Sequence, residues 1–157
     1  MPDRIDRRLR ELGMVLPAPA PAFASYLPWR ISGNAVYISG QGPLVDGRIE
    51  EKFCGRVGSE LTVEEGQAAA RLTALNVLAQ LKDACGGDLD RVAGCIQLMG
   101  FVNCDPGFTQ TPTVINGGSD VIVAVFGENG RHARYAIGSH ALPANISVEI
   151  AAIFEIG

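Results

Sequence analysis

From Ile146 to Ile156 the chain alternates without a break. Ile146, Val148, Ile150, Ala152, Phe154 and Ile156 take one parity; Ser147, Glu149, Ala151, Ile153 and Glu155 take the other. Successive residues of a strand point to opposite faces, so the first set is a fully apolar face that other elements have to cover. The second set is half apolar as well, more so than a face bathed in water. This segment therefore demands a layered sheet, and it predicts that the second face meets another subunit. Glu149 is a carboxylate set on that half-apolar face.

The remaining elements fit around such a sheet. Residues 1–15 read as a short charged helix with Ile5, Leu9 and Leu12 on its apolar side, and Pro17–Pro21 break it into an extended connector. Residues 1–21 are read as an N-terminal extension of a single domain spanning 1–157. Trp29–Ile31 and Ala35–Ser39 read as a hairpin turning at Ser32-Gly33-Asn34 and ended by Gly40-Gln41-Gly42-Pro43; a further short strand is expected at Arg48-Ile49. Thr62 and Glu65 have capping-box spacing. The helix they open is expected to bury Ala68, Leu72, Leu75 and Ala79 and to stop at Gly86-Gly87.

Val92–Asn103 is a strand of apolar and small residues. Thr111-Pro112 starts a second helix, with the threonine as cap and Ile115, Ile122 and Phe126 as the core stripe, ending near Gly127–Gly130. Ala133–Ser139 and the alternating segment then read as two strands joined by a tight turn at Leu142-Pro143. The order predicts an α+β fold, a mixed sheet with two helices on one face.

Charge and cysteine usage exclude several classes of function. Net charge is −4 over 157 residues, and the basic cluster Arg4, Arg7, Arg8 and Arg10 is interleaved with Asp3, Asp6 and Glu11. No field favours nucleic acid or an anionic membrane. No apolar run approaches ~20 residues and nothing resembles a secretory signal, so a cytoplasmic protein is expected. Cys54, Cys85, Cys95 and Cys104 show no CxxC spacing and only two histidines accompany them. Reduced thiols are expected rather than a metal centre or disulfides.

The residue with least reason to be where it is for packing is Arg134, a strand arginine among alanines and glycines. A guanidinium fork grips a carboxylate in two parallel hydrogen bonds, and small neighbours leave room for the rest of a small ligand. His132 and His140 share its strand parity, which raises a catalytic histidine as an alternative.

These pieces together carry a resemblance. Tyr26, Val36–Pro43 (Val-Tyr-Ile-Ser-Gly-Gln-Gly-Pro), the helix from Thr62, Phe101-Val102 and the whole of Ala133–Ile153 resemble the reactive-intermediate deaminase family, also called the YjgF or Rid family, from about Tyr26 to the C-terminus. The resemblance implies a chorismate-mutase-like fold and a homotrimer whose sheets form a central barrel with ligand clefts between subunits. It also implies cofactor-free hydrolysis of 2-imino acids, or their enamine tautomers, to 2-oxo acids and ammonia. By the same resemblance Arg134 clamps the substrate carboxylate and Glu149 positions or activates the attacking water. The main chain of Ala136 replaces that of a cysteine facing the imine nitrogen, and Tyr26, Ser39, Gly40 and Asn116 line the cleft. No metal site is implied. The alternative is a non-catalytic trimer that binds small carboxylates.

Three features depart from the family pattern. The N-terminus is longer, Asn116-Gly117-Gly118-Ser119 replaces an aromatic-bearing segment, and Ala151 stands where a second glutamate is common. A two-residue turn at Pro143-Ala144 would set Gly138 opposite Glu149, leaving Arg134 roughly 13 Å further along the ladder. That distance favours a cleft built from more than one chain.

Overall fold

The structure is a computed structural model and describes residues 3–157; the first two residues of the expected N-terminal extension lie outside them. The elements are α1 (Arg4–Glu11), β1 (Trp29–Ser32), β2 (Ala35–Gln41), β3 (Leu44–Val45), β4 (Arg48–Ile49), α2 (Val63–Ala84), β5 (Val92–Asn103), α3 (Thr111–Phe126), β6 (Ala133–Ser139) and β7 (Val148–Ile156). Five strands form one mixed sheet in the order β1-β2-β7-β5-β6, and β3 and β4 make a separate small hairpin. Every pairing in the large sheet is antiparallel except β5 with β6.

The alternating segment does what its pattern demands. Val148, Ile150, Ala152 and Phe154 are fully buried beneath the helices, in one core with Val36, Ile38, Leu98 and Val102 of the neighbouring strands. Helix α2 starts at the expected capping box: the Thr62 side chain accepts from the Glu65 amide while the Glu65 carboxylate accepts from the Thr62 amide. Gly86 and Gly87, both at positive φ, follow its end.

The buried stripe of α2 is rotated from the expected one. Ala69, Ala70, Thr73, Ala74, Val77, Leu78 and Leu81 face the core, and Ala79 is buried as expected, whereas Ala68 is exposed and Leu72 and Leu75 are only half-buried. The helix is clamped between the sheet and α3, where small residues allow close approach. Its inner face combines the small Ala69, Ala70 and Ala74 with the larger Val77, Leu78 and Leu81.

The expected closing hairpin does not exist. β6 and β7 flank β5 instead of pairing with each other. The connection between them is pinned across the end of β5. Asn103 Nδ2 donates to Asn145 Oδ1 and to the Ile146 carbonyl, the Ser147 amide donates to the Phe53 carbonyl, and Ala144 and Asn145 turn the chain at positive φ. A two-residue turn would have left no backbone to make these bonds. Strand β2 also runs two residues beyond the expected end, through an irregularity between Ile38 and Gln41.

The N-terminal segment is tied to the same body. Ile5 and Leu9 enter the core, Asp90 accepts from the Arg4 and Ile5 amides, and Lys82 pairs with Asp6 at 2.9 Å. Gln80 donates to the Ala20 carbonyl in a buried bond of 2.7 Å. Among the described residues no helix is long and apolar enough to cross a membrane.

Candidate functional site

The sheet divides the expected site residues into two groups. The first lies at its β6 edge. Arg134 is in register with Leu98, a buried residue of β5, so its side chain rises on the helix-covered face. There Nη1 donates to Asn116 Oδ1 at 2.7 Å and to Ser119 Oγ at 3.2 Å, and Nη2 reaches the Pro112 carbonyl at 3.5 Å. Both hydrogens of Nη1 are therefore used. Among the described residues nothing accepts from Nε, and the Pro112 contact takes at most one of the two Nη2 hydrogens, so Nε and Nη2 each keep a hydrogen for a ligand.

Ala136 follows on the same face, in register with Gly100. Its carbonyl accepts from the Thr111 hydroxyl at 2.9 Å, so Thr111 is not the helix cap. Gln110 holds the cap position without a side-chain bond. The threonine reaches across to the strand because α3 lies directly over β6, and the Ala136 carbonyl keeps one lone pair for another donor.

The glycines following Asn116 serve helix packing. A Cβ on Gly117 would overlap the Gln67 carbonyl of α2, and one on Gly118 would sit 2.8 Å from Ile150 Cδ1. They let α3 descend onto α2, which sets Asn116 and Ser119 at the height of Arg134.

The second group lies on the other face. Glu149 is in register with Phe101, and Phe101 with Ile137, so its side chain projects away from the helices. Gly40 lies directly beneath it, because a Cβ there would stand 2.7 Å from Glu149 Oε2. Ser39 donates from its hydroxyl to the Leu27 carbonyl at 2.6 Å and from its amide to the Pro28 carbonyl at 2.9 Å, which fastens the Tyr26 segment to β2. The Tyr26 ring is 45% exposed and borders a shallow depression of about 410 Å³ with Leu27, Trp29, Tyr37 and Ser39.

Burial raises the Glu149 carboxyl above its ordinary value, and no charged neighbour offsets this. A folded-state pKa above the unfolded one means that ionisation works against folding. Its stability contribution is full below the ordinary carboxylate value and is lost as pH rises through the raised one. Glu149→Gln is accordingly expected to melt above wild type at about pH 8 and level with it at about pH 4. Thermal melts at the two pH values check this, and an equal shift at both would refute it.

Arg134 and Glu149 thus do not share a site within one chain. They stand on opposite faces, two strands apart (about 10 Å) and three residues out of row (about 10 Å more). Tyr26, Ser39, Gly40 and Glu149 form one group; Asn116, Arg134 and Ala136 form the other.

The open face between the two edges is apolar. Tyr37, Tyr135 and Ile137 are exposed, and Phe101 meets Tyr135 edge-to-face at 6.0 Å. Of the histidines, His140 lies beyond β6 and lends only its carbonyl to Arg56. His132 is near Arg134, whose strand parity it shares, and touches Ser119 of α3, a contact with no signal in the sequence.

The described residues contain no group of three or more His, Cys, Asp or Glu side chains suited to a metal. All four cysteines are free, and burial pushes the Cys95 thiol up to about 12, far from nucleophilic use.

Comparison with known proteins agrees with this architecture. Residues 6–155 match the model of a family described as "YjgF/chorismate mutase-like, putative endoribonuclease". Protein TCP17 of Trypanosoma cruzi is 45% identical over 154 residues, covering 98% of this chain and 94% of that protein. The crystal structure of Atu1372, a protein of unknown function from Agrobacterium tumefaciens, is similar with a TM-score of 0.90 and 48% identity, over 99% of this chain and 94% of the other.

Proposed function

The chain belongs to the YjgF/chorismate mutase-like family, and from that premise we propose that it hydrolyses small reactive 2-imino acids, or their enamine tautomers, to 2-oxo acids and ammonia. The observation that carries this reading is the Arg134 guanidinium, held through Nη1 by Asn116 and Ser119, with Nε unpartnered among the described residues and Nη2 giving one hydrogen to the Pro112 carbonyl at 3.5 Å. The Nε–Nη2 edge is the one that takes a carboxylate in two parallel bonds.

A protonated imine is electrophilic at carbon. With its carboxylate fixed, hydrolysis needs a placed water and a group to accept and return its proton. Water adds to the imine carbon, a proton moves to nitrogen, and the C–N bond breaks to release ammonia and leave the carbonyl. Glu149 suits the proton transfers because its raised carboxyl lies nearer to neutrality than an ordinary one.

In our reading the two halves meet between copies. The apolar face bearing Tyr37, Tyr135 and Ile137 packs against the same chain in a homotrimer, and Glu149 of one subunit shares a cleft with Arg134 of the next. The net charge of −4 and the absence of a basic stripe argue against ribonuclease chemistry at this cleft.

The test is release of 2-oxobutanoate from 2-iminobutanoate generated in situ, followed with and without the protein. Acceleration supports the hydrolytic reading. If 2-oxobutanoate binds and turnover is absent, the same fork serves a non-catalytic carboxylate-binding protein.

A further inference from the structure

Ser119 and His132 have no part in the chemistry described above, yet they form a directed chain that ends on Arg134. His132 Nδ1 lies 2.6 Å from the Gly130 carbonyl oxygen. A carbonyl can only accept, so Nδ1 carries the hydrogen, and of the two neutral tautomers this is the one in which Nε2 is an acceptor. Ser119 Oγ is 2.9 Å from Nε2 and donates to it. This turns the hydroxyl lone pairs toward Arg134 Nη1 at 3.2 Å.

Both ends of this chain are immobile. Gly130 is packed so tightly under α3 that a Cβ on it would touch the Ile122 carbonyl oxygen at 2.5 Å. Ser119 sits in the middle of α3 beside the two glycines that lock that helix to α2.

We propose that the Ser119–His132 pair is the positioning device of Arg134: it fixes the rotation of the guanidinium so that the Nε–Nη2 edge faces an incoming carboxylate before the ligand arrives. This inference rests on the carboxylate-gripping role of Arg134 proposed above. Arginine has a long, rotamer-rich stem, and a fork that is already oriented loses less freedom on binding. Asn116 and Ser119 take Nη1 and the Pro112 carbonyl takes one Nη2 hydrogen, while Nε stays without a partner among the described residues, so bonding capacity remains on the side that a carboxylate would meet. His132 and Ser119 are positioning residues, since neither reaches the ligand edge.

The test compares Ser119→Ala, His132→Asn and His132→Gln in the full chain. Steady-state hydrolysis of 2-iminobutanoate and the Kd of 2-oxobutanoate by NMR titration are the readouts. Asparagine keeps a donor at the place of Nδ1 for Gly130 and loses the acceptor for Ser119; glutamine supplies an acceptor near the place of Nε2. Ser119→Ala and His132→Asn are expected to raise KM and Kd roughly five- to tenfold with kcat nearly unchanged, and His132→Gln to recover most of the loss.

Rescue by asparagine and not by glutamine would overturn the proposal, because His132 would then only anchor the turn at Gly130. A fall in kcat at constant KM would overturn it too, as would variants indistinguishable from an active wild type. A wild type with neither turnover nor carboxylate binding would take down the proposal together with the reading it rests on, and that outcome is recognisable before any variant is made.

Discussion

Arg134→Ala is expected to lose about 10²- to 10³-fold in kcat/KM toward 2-imino acids, the value of two charge-assisted bonds to a carboxylate. The loss should fall on substrate binding and on turnover alike, because in the proposed reaction the carboxylate grip both recruits the ligand and aligns its imine carbon with the water. Stability should change little. Arg134 is only half-buried, and the oxygens of Asn116 and Ser119 that it would leave behind lie close enough to solvent to be rehydrated. Arg134→Lys should recover only part of the activity, since an ammonium cannot present a two-pronged edge. Steady-state kinetics beside thermal melts check the pair. Activity of the alanine variant within about threefold of wild type would remove Arg134 from the mechanism.

The largest expected effect on stability comes from a single added methyl group. Glycine in a helix interior is usually improved by alanine, by about 1 kcal/mol. At Gly117 the sign should reverse. A Cβ there would overlap the Gln67 carbonyl oxygen and stand 2.8 Å from its carbon and 2.9 Å from its Cα, all of them backbone atoms that cannot rotate aside. The two helices are also stitched at this level by Gln67 Nε2 donating to the Thr113 carbonyl. Gly117→Ala is expected to cost about 3 kcal/mol, and to lower Tm by roughly 5–10 °C. Gly118→Ala should cost less, because its nearest obstacle is the terminal carbon of the Ile150 side chain. Equal Tm values for Gly117→Ala and wild type would refute the close crossing of α2 and α3.

Local chemistry in the sequence located most of the elements. The capping box at Thr62 and Glu65, the stop at Gly86-Gly87 and the whole of Val92–Asn103 are properties of neighbouring residues, and the structure has them where they were read. Features that depend on which elements become neighbours were not legible. Nothing in Ala133–Ile156 says that β5 will lie between the last two strands, so a hairpin was the natural expectation. The inner face of α2 was misread because its small residues, Ala69, Ala70 and Ala74, carry the packing while the larger Leu72 and Leu75 stand at the margin.

The candidate site divides in the same way. Arg134 and Glu149 stood out as charged residues in small or apolar strand settings, whereas Tyr26, Ser39, Gly40, Asn116 and Ala136 came from a resemblance. Their separation onto two faces follows from register alone. Ser119 and His132 are thirteen residues apart in sequence and meet only because the chain doubles back after α3.

Placing the two halves on opposite faces has a genetic consequence. If each active centre is a junction of two chains, loss of Arg134 and loss of Glu149 are defects in different halves of every centre. Subunits carrying Arg134→Ala and subunits carrying Glu149→Gln, each inert alone, should then complement when co-expressed. Random mixing at equal dose restores one junction in four, so about a quarter of wild-type activity is expected. A centre contained in one chain would leave the mixture as dead as its parents. The unit on which selection acts in this protein is then the junction, and no single polypeptide carries a whole one.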